Sequence, residues 1–242
     1  MRWKCVCAYD GSGFHGWQSQ KNSEAVQDVI EKSLKTIFEK RIRIHGSGRT
    51  DTGVHARGQV FHFDASWRHD SGRLLAAFRA LLPVSIQIKS AKLVPESFHA
   101  RYGAKGKEYR YYIYRGTADP FKTSYCWSID RSLDLAKMQK AADLLVGKHD
   151  FVAFSLFNGD KVDTIKDLRV LSVNERGRHI SVTAEGSGFL YKMVRSLTGA
   201  LVNVGQGKLT PTDLYEILKN QKRVSLVRTA PAQGLFLEKV KY

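Results

Sequence analysis

Apolar residues recur in this chain with two periods, and the periods change in the same order twice. Arg2–Tyr9 alternates every second residue, the pattern of a half-buried strand. From Asn22 or Ser23, either a good N-cap, to about Lys40 the period becomes helical, with Val26, Val29, Ile30, Leu34, Ile37 and Phe38 on one stripe. Arg41–His45 alternates again. After a glycine-rich stretch, so does Gln59–Asp64, with Val60, His62 and Asp64 on one side and Phe61 and Phe63 on the other. Gly72–Leu82 reads as a helix stopped by Pro83, and Val84–Val94 as a strand.

The second half repeats this order. Lys107–Arg115 is a tyrosine-rich strand, Leu133–Val146 a helix, and Leu168–Asn174 with His179–Glu185 a hairpin. Gly188–Val204 is a helix with Leu190, Met193, Val194, Leu197, Leu201 and Val204 as its stripe. Thr210–Leu218 adds a helix capped by Thr210 with Pro211 at its first position, and Leu235–Tyr242 is a last strand. The order predicts an α+β protein of two ferredoxin-like βαββαβ halves, 1–104 and 105–242. Joined edge to edge, they would form one extended, mostly antiparallel sheet with helices on one face, and a cleft between the halves.

Charge narrows the partner. The chain carries a formal +16, and the excess is spread: 17 basic against 9 acidic residues in 1–105, and 22 against 14 in 106–242. A cationic body without a basic tail suits a phosphate backbone. Three cysteines cannot all pair, and Cys5 and Cys7 point the same way on a strand, which predicts reduced thiols and a cytoplasmic setting. The first ten residues lack the apolar core and cleavage site of a secretory signal. No run reaches the ~18 apolar residues of a membrane span. No Cys/His spacing suggests zinc, so no metal is expected.

Chemistry concentrates between Gly46 and Gly58, where four glycines surround a single acid, Asp51, with Arg49, His55 and Arg57 nearby. The cations are expected to keep that carboxylate ionised, able to act as nucleophile or general base. A turn in which Asp51 caps backbone amides is the plainer alternative. The ending needed for a phosphate-binding P-loop is missing. On the tyrosine strand, Tyr109, Tyr111 and Ile113 face one way and Arg110, Tyr112 and Tyr114 the other. Such a strand can stack bases, although tyrosines also simply fill cores. Arg195 lies off the apolar stripe of its helix, placed for a phosphate, a carboxylate or solvent.

Gly48-Arg49-Thr50-Asp51-Thr52-Gly53-Val54-His55-Ala56 resembles the active-site signature of the tRNA pseudouridine synthase A family. Ala8–Gln18, Phe98–Arg101, Lys107–Tyr111, Gly188–Arg195 and Ala230–Leu235 resemble further blocks of that family in the same order. Ser12 stands where threonine is common, and the chain is short for the family. The resemblance implies isomerisation of uridine to pseudouridine at positions 38, 39 and 40 of the tRNA anticodon stem-loop, without a cofactor, by a homodimer. It implies that Asp51 is the catalytic aspartate and that Arg195 pairs with it. It also implies that Arg49 helps extrude the nucleotide, Tyr109 stacks on the uracil, and Leu235 lines the base pocket. Whether the carboxylate attacks C1′ or C6, or takes a proton from the ribose 2′ carbon, stays open. The competing class is a non-catalytic RNA-binding or RNA-chaperone module, which has no use for Asp51.

Overall fold

The computed structural model describes residues 1–21, 23–156 and 163–242. The chain divides into two compact units, Met1–Lys105 with Phe236–Tyr242, and Gly106–Leu235. The expected division at 104/105 therefore lies one residue early, and the final seven residues group with the first unit.

In the first unit the elements run β1 (Arg2–Tyr9), α1 (Val26–Phe38), β2 (His45–Gly46), β3 (His55–Asp64), α2 (Ser71–Leu81) and β4 (Ile86–Val94). Strands β4 and β3 flank β1 antiparallel, and β2 pairs antiparallel with the far edge of β3, the order of a ferredoxin-like sheet. The alternation seen in the sequence is the burial pattern: Trp3, Cys5, Cys7 and Tyr9 are buried. Phe63, directly opposite Trp3, meets Phe38 of α1 edge-on at 6.0 Å. All three cysteines are free and buried, and burial pushes the Cys5 and Cys7 thiols well up.

The second unit contains β5 (Gly106–Arg115), α3 (Pro120–Thr123), β6 (Trp127–Ile129), α4 (Leu135–Leu145), β7 (Gly147–Asp150), β8 (Ile165–Arg176), β9 (His179–Gly186), α5 (Met193–Gly205) and α6 (Pro211–Lys219). The last strand, β10 (Leu235–Lys241), runs parallel to β3, with Phe236 opposite His55. Within the second unit β9 lies between β5 and β8, β7 extends β8, and β6 runs parallel to β5. With these additions, the chain order β5-α4-β8-β9-α5-β10 repeats β1-α1-β2-β3-α2-β4. The protein is α+β with two βαββαβ halves.

Several boundaries move, each for a tertiary reason. Of the two N-caps expected for α1, Asn22 lies outside the described residues and Ser23 forms a short bridge with Gln20. The helix starts after Ala25 instead. Its exposed N–H groups are satisfied by the Asp28 carboxylate on Ala25 (3.0 Å) and by the Gly16 and Trp17 carbonyls on Val26 and Gln27 (3.1 and 3.0 Å). The strand expected over Arg41–His45 shrinks to His45–Gly46, because Glu31 of α1 accepts the Ile44 N–H at 3.0 Å. Strand β3 begins four residues earlier than expected, since β10 gives His55 and Ala56 a partner. Helix α5 begins at Met193, not Gly188: Lys192 is left-handed (φ 58°), and Phe189 turns off to meet Tyr109. The caps Asp70, Asp134 and Thr210 follow the usual N-cap chemistry, although α4 starts two residues beyond the expected Leu133.

Candidate active site

Asp51 opens a turn closed by the Val54 N–H, in a loop that is held on both sides. Before it, Thr50 is buried, shares a 2.8 Å hydrogen bond between its hydroxyl and Tyr9, and accepts the Trp17 N–H at 3.2 Å. After it, Val54 is 1% exposed and returns its N–H to the Asp51 carbonyl at 3.1 Å. Gln59 Nε2 donates to the Gly48 carbonyl at 2.8 Å and anchors the approach. Between these anchors Asp51 is half-buried and Arg49 is exposed. The backbone is thus fixed on both sides of Asp51, with the Arg49 side chain exposed beside it.

The loop's close seat depends on two glycines in the block Ala8–Gln18. A Cβ on Gly16, whose φ is +81°, would stand 2.5 Å from the Thr50 carbonyl oxygen. One on Gly11 would strike the Val54 carbonyl. Any larger residue would push the loop off its support.

The neighbouring basic side chains have structural partners that the sequence did not reveal. His55 is 1% exposed; its Nδ1 accepts the Gly11 N–H at 3.0 Å and lies 3.2 Å from Asp10 Oδ1. Its ring stacks on Phe236 at 4.5 Å. Arg57 pairs with Glu238 at 3.0 Å and lies over the Phe236 ring. These contacts tie the loop's exit to β10.

In the second unit, Arg195 lies in the first turn of α5. A cation there opposes the helix dipole and gains from an anionic partner. Its Nε donates to the Ala230 carbonyl at 2.8 Å, and the Ala230 N–H returns a bond to the Arg195 carbonyl at 3.0 Å. The next residues pack on Tyr111: its hydroxyl donates to the Pro231 carbonyl at 2.8 Å, and Gly234 lies so close that a Cβ would meet the ring at 2.5 Å. Burial pushes the Tyr111 phenol far up, and the Arg195 charge pulls it partly back. Leu235 follows at once and is buried. Tyr109, on the same face of β5 as Tyr111, is 7% exposed and meets Phe189 edge-on at 5.2 Å.

The structure thus gathers Arg195, Tyr111 and 230–234, with Leu235 directly following, in the second unit. It sets Arg49 and Asp51 on one loop of the first unit. Sequence reasoning missed Tyr111, Phe189, and the Tyr9, Asp10 and Trp17 supports. Alternation already put Tyr111 beside Tyr109, but no periodicity marks a loop residue such as Trp17. Among the described residues no group of three or more His, Cys, Asp or Glu is placed to hold a metal ion, and no helix is long and apolar enough to cross a membrane.

The family described as tRNA pseudouridine synthase matches residues 6–103 and 141–242, which covers parts of both units. A tRNA pseudouridine synthase A of Bacillus licheniformis is 42% identical over 245 aligned residues, spanning 100% of this chain and 99% of that protein. The same-named proteins of Thermoanaerobacter sp. and Listeria innocua are each 42% identical, over 98% of both chains and over 100% and 99% respectively. Among solved structures, a crystal structure of a Cbf5-Nop10-Gar1 complex aligns with 73% of this chain and 40% of that one, at 14% identity and a TM-score of 0.36. Relatives of equal length, alike from end to end, settle the kinship: this chain belongs to the tRNA pseudouridine synthase family.

Proposed function

We propose that this protein isomerises uridine to pseudouridine at positions 38, 39 and 40 of the tRNA anticodon stem-loop, with Asp51 as the essential carboxylate. The observation that carries the reading is the seat of Asp51, a half-buried carboxylate held between the buried anchors Thr50 and Val54 beside the exposed Arg49.

The chemistry needs little else. The N1–C1′ bond breaks, the uracil turns, C5 bonds to C1′, C5 loses its proton and N1 gains one. Atoms and electrons balance within one nucleotide, so no cofactor is called for. A stacked uridine must first leave its helix, at a cost of a few kcal/mol. Arg49, exposed on the loop, fills the vacated stack and holds phosphates. Tyr109 then offers its ring to the extruded base, and stacking of this kind returns about 1–3 kcal/mol. Leu235 supplies an apolar wall. Arg195 pairs with the Asp51 carboxylate as water is excluded.

This reading has Asp51 and Arg195 act on the same uridine, in a cytoplasmic homodimer with tRNA lying across both subunits. Release of tritium from tRNA labelled at uracil C5 tests it. Wild type is expected to release the label, and Asp51→Ala to release none while still binding tRNA. Undiminished release by Asp51→Ala would overturn the assignment. A non-catalytic RNA-binding module would release none even as wild type.

A further inference from the structure

The block Phe98–Arg101 has no part in the chemistry above, yet it is built with care. The Ala100 N–H donates to His62 Nδ1 at 3.2 Å, and the Ala100 carbonyl accepts the Tyr242 hydroxyl at 2.7 Å. His99 Nδ1 accepts the N–H groups of Arg101 and Tyr102 at 3.1 and 3.2 Å, and the His99 carbonyl accepts that of Gly103 at 2.9 Å. The turn is therefore rigid, and it holds Tyr102 outward at 79% exposure.

Behind Tyr102 the rings continue. His99 lies 4.3 Å away at 31°, His45 lies 5.8 Å from His99, and His45 stacks on the buried His62 at 5.0 Å. Arg101 stands 5.8 Å from the Tyr102 ring, and the strip's acid Asp64 is already held by Arg2 at 2.7 Å. His99 Nδ1 accepts two N–H groups, as a neutral imidazole does, and burial foremost, then His45, Arg2 and Arg101, push its pKa down. Histidine and tyrosine planes with a guanidinium beside them are the materials that stack unpaired bases.

We propose that Tyr102, His99 and His45 form a stacking surface for unpaired bases of the RNA substrate, with Arg101 on the phosphates. The proposal rests on the RNA-modifying reading and extends it to nucleotides beyond the target. His45 lies four residues before Arg49 and six before Asp51, so the connecting chain spans at most about 14 and 22 Å. That upper limit keeps His45 within a few nucleotides' reach of a uridine at Asp51. Rigid mounting favours binding, because little ordering remains to be done when RNA arrives.

The test compares Tyr102→Ala, Tyr102→Leu and Tyr102→Phe, at a position too exposed to govern folding. KM and kcat are measured with tRNA, and Kd is measured in an Asp51→Ala background. The Ala and Leu variants are expected to raise KM and Kd about 5- to 150-fold, the range of one lost stack, with kcat held. The Phe variant, which keeps the plane, stays within about two-fold. Arg101→Gln is expected to flatten the salt dependence of binding by about one unit of slope. Unchanged Kd in the Ala and Leu variants would overturn the proposal, and so would an equal loss in Tyr102→Phe. A wild type that binds tRNA but forms no pseudouridine would refute the activity alone, and the Kd series would still decide the surface.

Discussion

Acid should weaken this protein well before its carboxylates titrate, and His62 is the reason. Its side chain is 2% exposed, and its Nδ1 accepts the Ala100 N–H. Burial foremost, then the neighbouring His99, His45 and Arg2, push its pKa down to about 4, and Asp64 offsets only part of this. In the unfolded chain the imidazole returns to about 6.5. Between those values the unfolded state binds the proton and the folded state resists it, so stability falls as pH falls. The contribution is whole above about pH 6.5 and lost by about pH 4, and a gap of roughly 2.5 units corresponds to about 3 kcal/mol. His99 is shifted in the same direction and adds to the slope. Urea unfolding followed by tryptophan fluorescence at steps from pH 7 to pH 4.5 measures it. His62→Gln keeps an acceptor for Ala100 and cannot take the proton, so its stability should decline less over the same window. Parallel curves for wild type and His62→Gln would refute the argument.

Other outcomes follow from the same contacts. Arg49→Ala should lose turnover while keeping most of its tRNA affinity, as read by tritium release against filter binding. If Asp51 and Arg195 meet, the losses in kcat/KM of Asp51→Asn and Arg195→Gln will be strongly non-additive in a double-mutant cycle; additive losses would place them apart. Tyr111→Phe strands the Pro231 carbonyl and should cost about 1–3 kcal/mol in urea unfolding. Gly199→Ala drives a Cβ into the Arg228 carbonyl, backbone that has little room to yield, and should lower stability by about 1–3 kcal/mol.

The sequence alone determined whatever depends on near neighbours. Alternation gave β1 to the residue and put Tyr109, Tyr111 and Ile113 on one buried face. Thr210 and Pro211 marked the start of α6, because capping is settled within a single turn. The glycine-rich stretch around Asp51 announced itself by composition. Only the tertiary structure decided matters that join distant residues. Strand β3 gained four residues from β10, whose Phe236 lies 181 positions after His55 along the chain. Helix α1 took its first partners from Gly16 and Trp17, and α5 gave up its expected first turn as Phe189 met Tyr109. His55 and Arg57, near Asp51 in the sequence, meet Asp10 and Glu238, partners that no local pattern announces. A one-dimensional pattern records which face a side chain needs to bury. Which partner satisfies a charge or an N–H group depends on what folding brings alongside it, and no local period encodes that.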